Sequence, residues 1–199
     1  MILTGAFDAL HADVNRRDLL LHFSDLQKSP SAAVSGAQMN LGFDPPALIS
    51  SGLPAMSAAE SVKYEVDRLG IDMSRHMIEF YGDFLNAIGA VRSSDLLKQR
   101  SQSSVLVAGI KVAMQTPPVR SGKRVIFVTL DDGYGLSDST FFTDVQGEYA
   151  NVLYSTSLLL VRGITRRTGA RGISIRATGA WDLRAAYESW STKQSTLAI

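Results

Sequence analysis

The 199-residue chain contains no cysteine, which excludes a disulfide scaffold, a thiolate zinc site and a cysteine nucleophile. Its three histidines, His11, His22 and His76, are not at the spacing of metal ligands. No run of about 18 apolar residues is present, so no membrane span is predicted. The N-terminus lacks the basic and apolar regions of a signal peptide, which predicts a cytoplasmic location.

Catalytic patterns are also missing. The sequence shows no glycine-rich phosphate loop, no evident carboxylate pair and no Ser/His/Asp set, so we expect no catalytic residues, no metal and no cofactor. Whether the chain is part of an enzyme stays open at this point. Asp131-Asp132-Gly133 is typical of a turn between strands, and His76 is expected to be structural or solvent-facing.

Charge is distributed unevenly along the chain, although the net charge is only +1. Residues 1–100 carry nine Lys and Arg against twelve Asp and Glu, whereas residues 101–183 carry nine against six. The basic excess therefore lies in one segment. That segment is the first place to look for a site that binds a polyanion.

The first hundred residues are predicted to be helical on both sides of a linker. Residues 1–28 are typical of a helix, and residues 29–56 are rich in Pro, Gly and Ser, which disfavour both helix and strand. Residues 57–100 form a helical lead-in that begins with a capping box at Ser57–Glu60. A second helix over 77–88 presents a wide apolar face.

From residue 103 the apolar period changes to two, which predicts strands. In the first strand we expect Leu106, Ala108, Ile110, Val112 and Met114 to face the core. The second strand buries Ile126, Val128 and Leu130. Four elements follow: a third short strand at 139–143, a helix that begins with a capping box at Thr143–Gln146, a strand at 158–166, and a last strand in which Ile173, Ile175 and Ala177 face one way.

Three strands, a helix and two strands is the order of an OB barrel. We therefore predict an α+β fold, with a five-stranded OB-fold barrel over 101–183 preceded by a small helical region and followed by a C-terminal tail over 184–199. Gly109 and Gly163 interrupt the longest strands, where a small barrel needs a bend or a bulge. The main alternative is a small β-sandwich.

OB barrels bind single strands on the outer face of the second and third strands, between two loops. Both corresponding loops are basic here: Arg120, Lys123 and Arg124 lie in the first, and Arg166, Arg167 and Arg171 lie in the second. Lys111, Arg176 and Phe127 are expected to point outward. One of Phe141 and Phe142 must also do so, and Phe142 is our candidate. Two alternatives stay open: each cation taken alone is compatible with a side chain that contacts only solvent, and Phe127 is compatible with packing under the lead-in helices.

Three passages of the predicted barrel, Val105–Gly109, Val125–Asp132 and Leu159–Gly163, resemble the C-terminal OB domain of bacterial family C DNA polymerases, the alpha subunits of DNA polymerase III. The error-prone branch of that family is more similar. Flanking passages resemble it as well: Leu3–Leu10 with Asn15–Arg17, Leu69–Asp72 with Ser74–His76, and Gly179–Leu183.

The resemblance implies a module of a polymerase used in replication and translesion repair, with the catalytic aspartates outside this chain. Residues 1–28 then correspond to the tail of a helix-hairpin-helix region, and the barrel is expected to bind single-stranded DNA without catalysis of its own. The segment Gln194–Ile199 resembles the Gln-x-x-Leu peptide that docks polymerases on the sliding clamp, although a frayed tail is the simpler interpretation.

Two other functions stay open. The apolar face at Phe80, Tyr81 and Phe84 suggests a protein-interaction module that docks to a polymerase body or to a mutagenesis partner. A transfer-RNA-binding OB domain of the synthetase type is a third possibility.

Overall fold

A computed structural model describes residues 1–28, 50–117, 124–167, 169 and 172–197. The chain forms two compact units, Met1–Arg75 and His76–Ile199. Within the described ranges, no helix combines the length and the apolar character needed to cross a bilayer.

The first unit holds a 3-10 helix, Ile2–Thr4, and two α-helices, α1 (Arg16–Lys28) and α2 (Ala58–Leu69). The predicted capping box at the start of α2 is confirmed. Ser57 Oγ accepts a hydrogen bond from the Glu60 N–H at 3.2 Å, and the Glu60 carboxylate accepts one from the Ser57 N–H at 2.9 Å. Gly70 then ends α2 with a left-handed φ of 76°.

Glu65 on α2 is a charged side chain of the first unit that is only 1% exposed. Its Oε2 accepts hydrogen bonds from the N–H groups of Met73 (2.8 Å) and Ser74 (2.9 Å). Burial by itself would raise the pKa of this carboxyl, but these bonds favour the charged form and hold its pKa below the ordinary value.

The second unit is built on five strands: β1 (Ser104–Gln115), β2 (Ile126–Asp131), β3 (Leu136–Phe141), β4 (Leu158–Arg167) and β5 (Ile173–Asp182). They close into a barrel in the order β1-β2-β3-β5-β4. Neighbouring strands are antiparallel, except that β3 and β5 run parallel. With helix α5 (Thr143–Ser155) between β3 and β4, this confirms the predicted α+β OB-fold barrel.

Alternation along β2 is as predicted, because only one face of this strand is buried: Ile126, Val128 and Leu130 point into the barrel. The prediction for β1 is correct for Met114, which packs against the barrel core, but wrong for Val112, which is exposed, and for Leu106, Ala108 and Ile110. Val105 and Val107 face the barrel interior, whereas Leu106, Ala108 and Ile110 pack against helices outside it. Both faces of this half of β1 are covered by apolar side chains, so its alternation does not reveal which face is inside.

Helices cover that outer side of the barrel: a 3-10 helix over Met77–Tyr81, then α3 (Gly82–Ala87) and α6 (Leu183–Leu197). Helix α4 (Ser93–Leu96) instead buries Leu96 with the barrel core. The single helix predicted over 77–88 is therefore two short elements. Tyr187 and Trp190 of α6 pack on the face predicted to be free: the Tyr81 and Tyr187 ring centroids are 5.2 Å apart, and those of Phe84 and Trp190 are 5.4 Å apart.

The segment predicted as a C-terminal tail is helical from Leu183 to Leu197. Helix α6 continues to Leu197, so Gln194 of the proposed clamp peptide lies in a helical turn. Ala198 and Ile199 lie outside the described residues. Docking of this segment on a sliding clamp stays a prediction.

Helix α5 closes one end of the barrel by burying Leu153 completely. The capping box predicted at its start is absent. Phe142 occupies the cap position without a side-chain hydrogen bond. Gln146 instead donates to the carbonyl oxygens of Arg124 and Phe141, both at 2.7 Å, so its amide ties α5 to the strands.

Two bulges bend the barrel. One lies in β1 between Lys111 and Ala113. The other lies where Arg162 and Gly163 of β4 pair with Gly179 and Ala177, which leaves Thr178 of β5 as an extra residue. The expectation that Gly163 marks a bulge is confirmed. A Cβ at this position would collide with the carbonyl oxygen of Arg176 and the side chain of Ile175, so the close approach of the strands requires glycine.

Candidate nucleic-acid interface

The outward side chains of β2, β3, β5 and β4 form one continuous surface. Strand register places Phe127 beside Thr140 and Thr129 beside Asp138. Thr140 is paired in turn with Arg176 across the parallel ladder, and Ser174 is paired with Arg166. Strand pairing thus brings together side chains that alternation along each strand turns outward.

This surface is concave. It holds two adjoining hollows of about 510 Å³ and 530 Å³, which share Thr140, Phe142, Arg166 and Ser174. The first also includes Arg176, and the second also includes Phe127. We call the two hollows together the outer groove.

Described residues on both sides of the two basic loops line one hollow of this groove. Its lining includes Gln115 and Phe127, which flank the first loop, and Arg166 and Ser174, which flank the second. The loop residues Arg120, Lys123 and Arg171 themselves lie outside the described residues.

Phe127 and Phe142 supply the rings of the groove. Phe127 lies on the outward face of β2 and is 43% exposed, as predicted. Phe141 is fully buried in the barrel, so Phe142 is the ring that lines both hollows. Exposed rings in a concave surface can stack on nucleic-acid bases, and alanine substitution shows such stacking to be worth about 1–3 kcal/mol per base.

Arg166 and Arg176 supply the described cations of the groove. Arg166 is exposed and lines both hollows. Arg176 is held by an ion pair, with Nη2 3.1 Å from Asp144 Oδ2, and its guanidinium carbon lies 5.3 Å from the centre of the Phe142 ring. A ring and a cation therefore meet at one point of the groove, as stacking on a base beside its phosphate requires.

Arg167 and Lys111 do not belong with these cations. Arg167 points to the other side of β4, where its Nη2 donates to the carbonyl oxygens of Leu97 and Gln99. Lys111 is half-buried, and its Nζ donates to the carbonyl oxygen of Leu153 in the last turn of α5. There it satisfies a carbonyl at the negative end of the helix. Lys111 was predicted to point outward as a ligand contact, and its ammonium is instead bound to the end of α5.

Arg124 is exposed just before β2 but does not line either hollow. Its carbonyl oxygen accepts the hydrogen bond from Gln146. Of the ten predicted site residues, the structure thus brings Phe127, Phe142, Arg166 and Arg176 together.

The sequence analysis missed three polar side chains that line the groove, Thr129, Asp138 and Thr140, which we call its floor. Asp138 and Thr140 on β3 alternate with the buried Ser137, Ser139 and Phe141, and this alternation was the signal that could have identified them. Thr129 Oγ1 donates to Asp138 Oδ1 at 2.7 Å. The carboxylate gives the floor a negative group opposite the arginines.

The Asp131-Asp132-Gly133 segment is a turn, as predicted. Asp131 Oδ1 accepts the Gly133 N–H at 2.9 Å, and Asp132 accepts hydrogen bonds from both the N–H and the hydroxyl of Ser93. His76 is structural: its Nδ1 accepts the Ile78 N–H at the start of a 3-10 helix. In the described ranges, no three His, Asp or Glu side chains are grouped as metal ligands.

Comparison with known proteins identifies the relatives of this chain, although no family model matches it. An error-prone DNA polymerase of Symbiobacterium thermophilum is 30% identical over 195 residues, which cover 88% of the chain. The chain is homologous to a segment of bacterial error-prone DNA polymerases. This confirms the predicted resemblance.

These error-prone polymerases are far longer than the chain, which spans 18% of the Symbiobacterium thermophilum protein. A DNA polymerase III subunit alpha of Pasteurella multocida is 29% identical over 171 residues, covering 82% of the chain and 15% of that protein. Among solved structures, an asparaginyl-tRNA synthetase of Pyrococcus horikoshii aligns with a TM-score of 0.39 and 17% identity over 48% of the chain and 23% of its own length. That likeness is too small to bear on function.

Proposed function

We propose that this chain is a module of an error-prone DNA polymerase that binds single-stranded DNA in the outer groove and has no catalytic activity of its own. The observation that carries the proposal is the meeting of Phe127, Phe142, Arg166 and Arg176 in one concave surface of an OB barrel. The homology to error-prone DNA polymerases supports DNA as the ligand, because a polymerase acts beside an unpaired template strand.

The chemistry of the groove supports one orientation of the strand. The arginines lie on the β4 and β5 side, where phosphates would be neutralised. Phe127 and Thr129 lie with Asp138 on the β2 and β3 side, where the ring and the hydroxyl can contact bases. Asp138 would repel phosphates, so the sugar-phosphate chain is expected to follow the arginine side.

Fluorescence anisotropy with a labelled oligo-dT of roughly 12 nucleotides tests this proposal, since OB folds cover about 4–16 nucleotides. We expect salt-dependent binding that exceeds binding to a duplex of equal length. Phe127→Ala should weaken it by about fivefold or more, with little change in salt dependence, because the ring contributes stacking rather than charge.

Tyr154→Ala is the matched control, because Tyr154 is an exposed ring (58%) that does not line the groove. Equal losses for Phe127→Ala and Tyr154→Ala would refute the assignment of the groove. Preference for a folded transfer RNA over oligo-dT would favour the synthetase-type function instead.

The protein-interaction alternative has lost the observation on which it depended. Phe84 is buried and Tyr81 is half-buried, because α6 packs on them. Docking to a polymerase body or to a mutagenesis partner stays a prediction, in which Phe84 and Tyr81 no longer supply a free apolar face.

A further inference from the structure

A second ring and cation lie on the barrel surface outside the outer groove. Trp181 of β5 is 38% exposed, and the guanidinium carbon of Arg162 lies 5.4 Å from the centre of its ring. The Tyr149 ring of α5 meets the indole edge-on, with centroids 6.1 Å apart. We call these three residues the Trp181 platform.

The bulge of β5 brings the indole to the surface. Ile175 and Ala177 point into the barrel, and regular alternation would turn residue 181 inward as well. Because Thr178 is an extra residue, Ala180 faces the core and Trp181 faces out. A specific backbone feature thus brings a large, partly covered apolar side chain to the surface.

The absence of a side chain at Gly179 leaves room for the indole against the strand. A Cβ at this position would lie 2.7 Å from Cη2 of Trp181, so the indole would have to move. With Tyr149 against one edge and Arg162 across the ring, the indole is held in place before any ligand arrives. Holding a ring in its bound position lowers the entropy cost of stacking.

Strand register connects the platform to the outer groove. Arg166 and Ile164 of β4 line the groove, and Arg162 is the next residue on the same outward face. Ile164 pairs with Arg176, and Arg162 pairs with Gly179 beneath the indole. Successive outward residues of a strand are about 6.8 Å apart, so the platform begins one such step beyond the groove.

We propose that the Trp181 platform is a second nucleotide-binding site, which extends the path of the single strand from the outer groove across the outer faces of β5 and β4. The exposed part of the indole stacks on a base, and Arg162 neutralises the adjoining phosphate. This inference rests on the proposed function, because the groove must bind the strand first.

Tryptophan emission can show whether a ligand contacts Trp181, provided that the other tryptophan is replaced. That residue, Trp190, packs against Phe84 and Tyr187. In the Trp190→Phe protein, an oligo-dT of roughly 12 nucleotides should quench the emission, whereas in the Trp181→Phe protein it should not. Unchanged emission of Trp190→Phe, at concentrations where anisotropy shows binding, would overturn the platform and leave the groove intact. Absence of binding in the anisotropy assay would overturn both.

A length series gives a second measurement that does not depend on Trp190→Phe folding. Trp181→Leu and Arg162→Ala should each weaken binding of the roughly 12-nucleotide strand by about fivefold and leave binding of about four nucleotides unchanged. Arg68→Ala, at an exposed position in the first unit, makes the same change in net charge and should have no effect. Equal loss at both lengths, or no loss at the greater length, would contradict the extended path.

Discussion

Arg166 and Arg167 are adjacent in the sequence but have different surroundings, so they form a matched pair for testing the groove. Arg166 lines both hollows. The guanidinium of Arg167 donates to the carbonyl oxygens of Leu97 and Gln99. Replacing either by alanine removes one positive charge, so any difference between the two proteins reflects position rather than net charge.

The expected magnitudes follow from the geometry. For single strands, the slope of log affinity against log salt changes by about 0.7 for each phosphate contact. Arg166→Ala should therefore reduce the slope by about 0.7 and weaken binding at low salt by roughly fivefold, equivalent to about 1 kcal/mol. Arg167→Ala should leave the slope unchanged and lower the free energy of unfolding by about 1 kcal/mol, because two backbone acceptors lose their donor.

Anisotropy titrations with oligo-dT between about 50 and 200 mM salt give both slopes, and urea unfolding followed by tryptophan emission gives the stability. If both variants reduce the slope alike, phosphates do not distinguish the two faces of β4 and the groove assignment fails. If neither does, the strand lies elsewhere.

Three further changes test the floor of the groove, the barrel and the first unit. Asp138→Asn should tighten oligo-dT binding about twofold to fivefold, by removing a charge that repels phosphates; weaker binding would contradict the assigned orientation. Gly163→Ala should destabilise the second unit by about 3 kcal/mol in urea unfolding, because a Cβ has no room there. The control is Gly147→Ala in α5, where a Cβ meets nothing within 4 Å. This substitution should be neutral or stabilising. Glu65→Gln should destabilise the first unit by about 2 kcal/mol. Since the pKa of Glu65 is lowered on folding, its contribution is complete above the unfolded value of about 4.3 and declines as the pH falls through the folded pKa; hydrogen exchange of α2 measured from neutral to acidic pH checks both.

The sequence was most informative where one side of an element is buried and the other is open. Alternation on β2 placed Phe127 outside correctly, because Val128 and Leu130 had a single core to face. The capping box of α2 was predicted from four adjacent residues, since its hydrogen bonds are local. These features depend on chain neighbours alone.

The sequence was least informative where distant segments decide the outcome. The orientation of β1 depends on α6, whose partners Tyr81 and Phe84 lie about 100 residues earlier in the chain. Lys111 is held by a carbonyl oxygen of α5, and a basic residue on a strand carries no sign of such a partner. The bulge that exposes Trp181 also depends on pairing between strands.

The extra residue at Thr178 links two parts of the second unit that otherwise have little in common. Deleting it would exchange Ala180 and Trp181 between inside and outside, so an indole would have to enter a core sized for a methyl group. The same shift would rotate the start of α6, whose Leu183 is fully buried, away from its pocket. One inserted residue thus determines both which side chain is offered to a ligand and how the final helix is attached. We therefore expect that a protein lacking this residue does not fold.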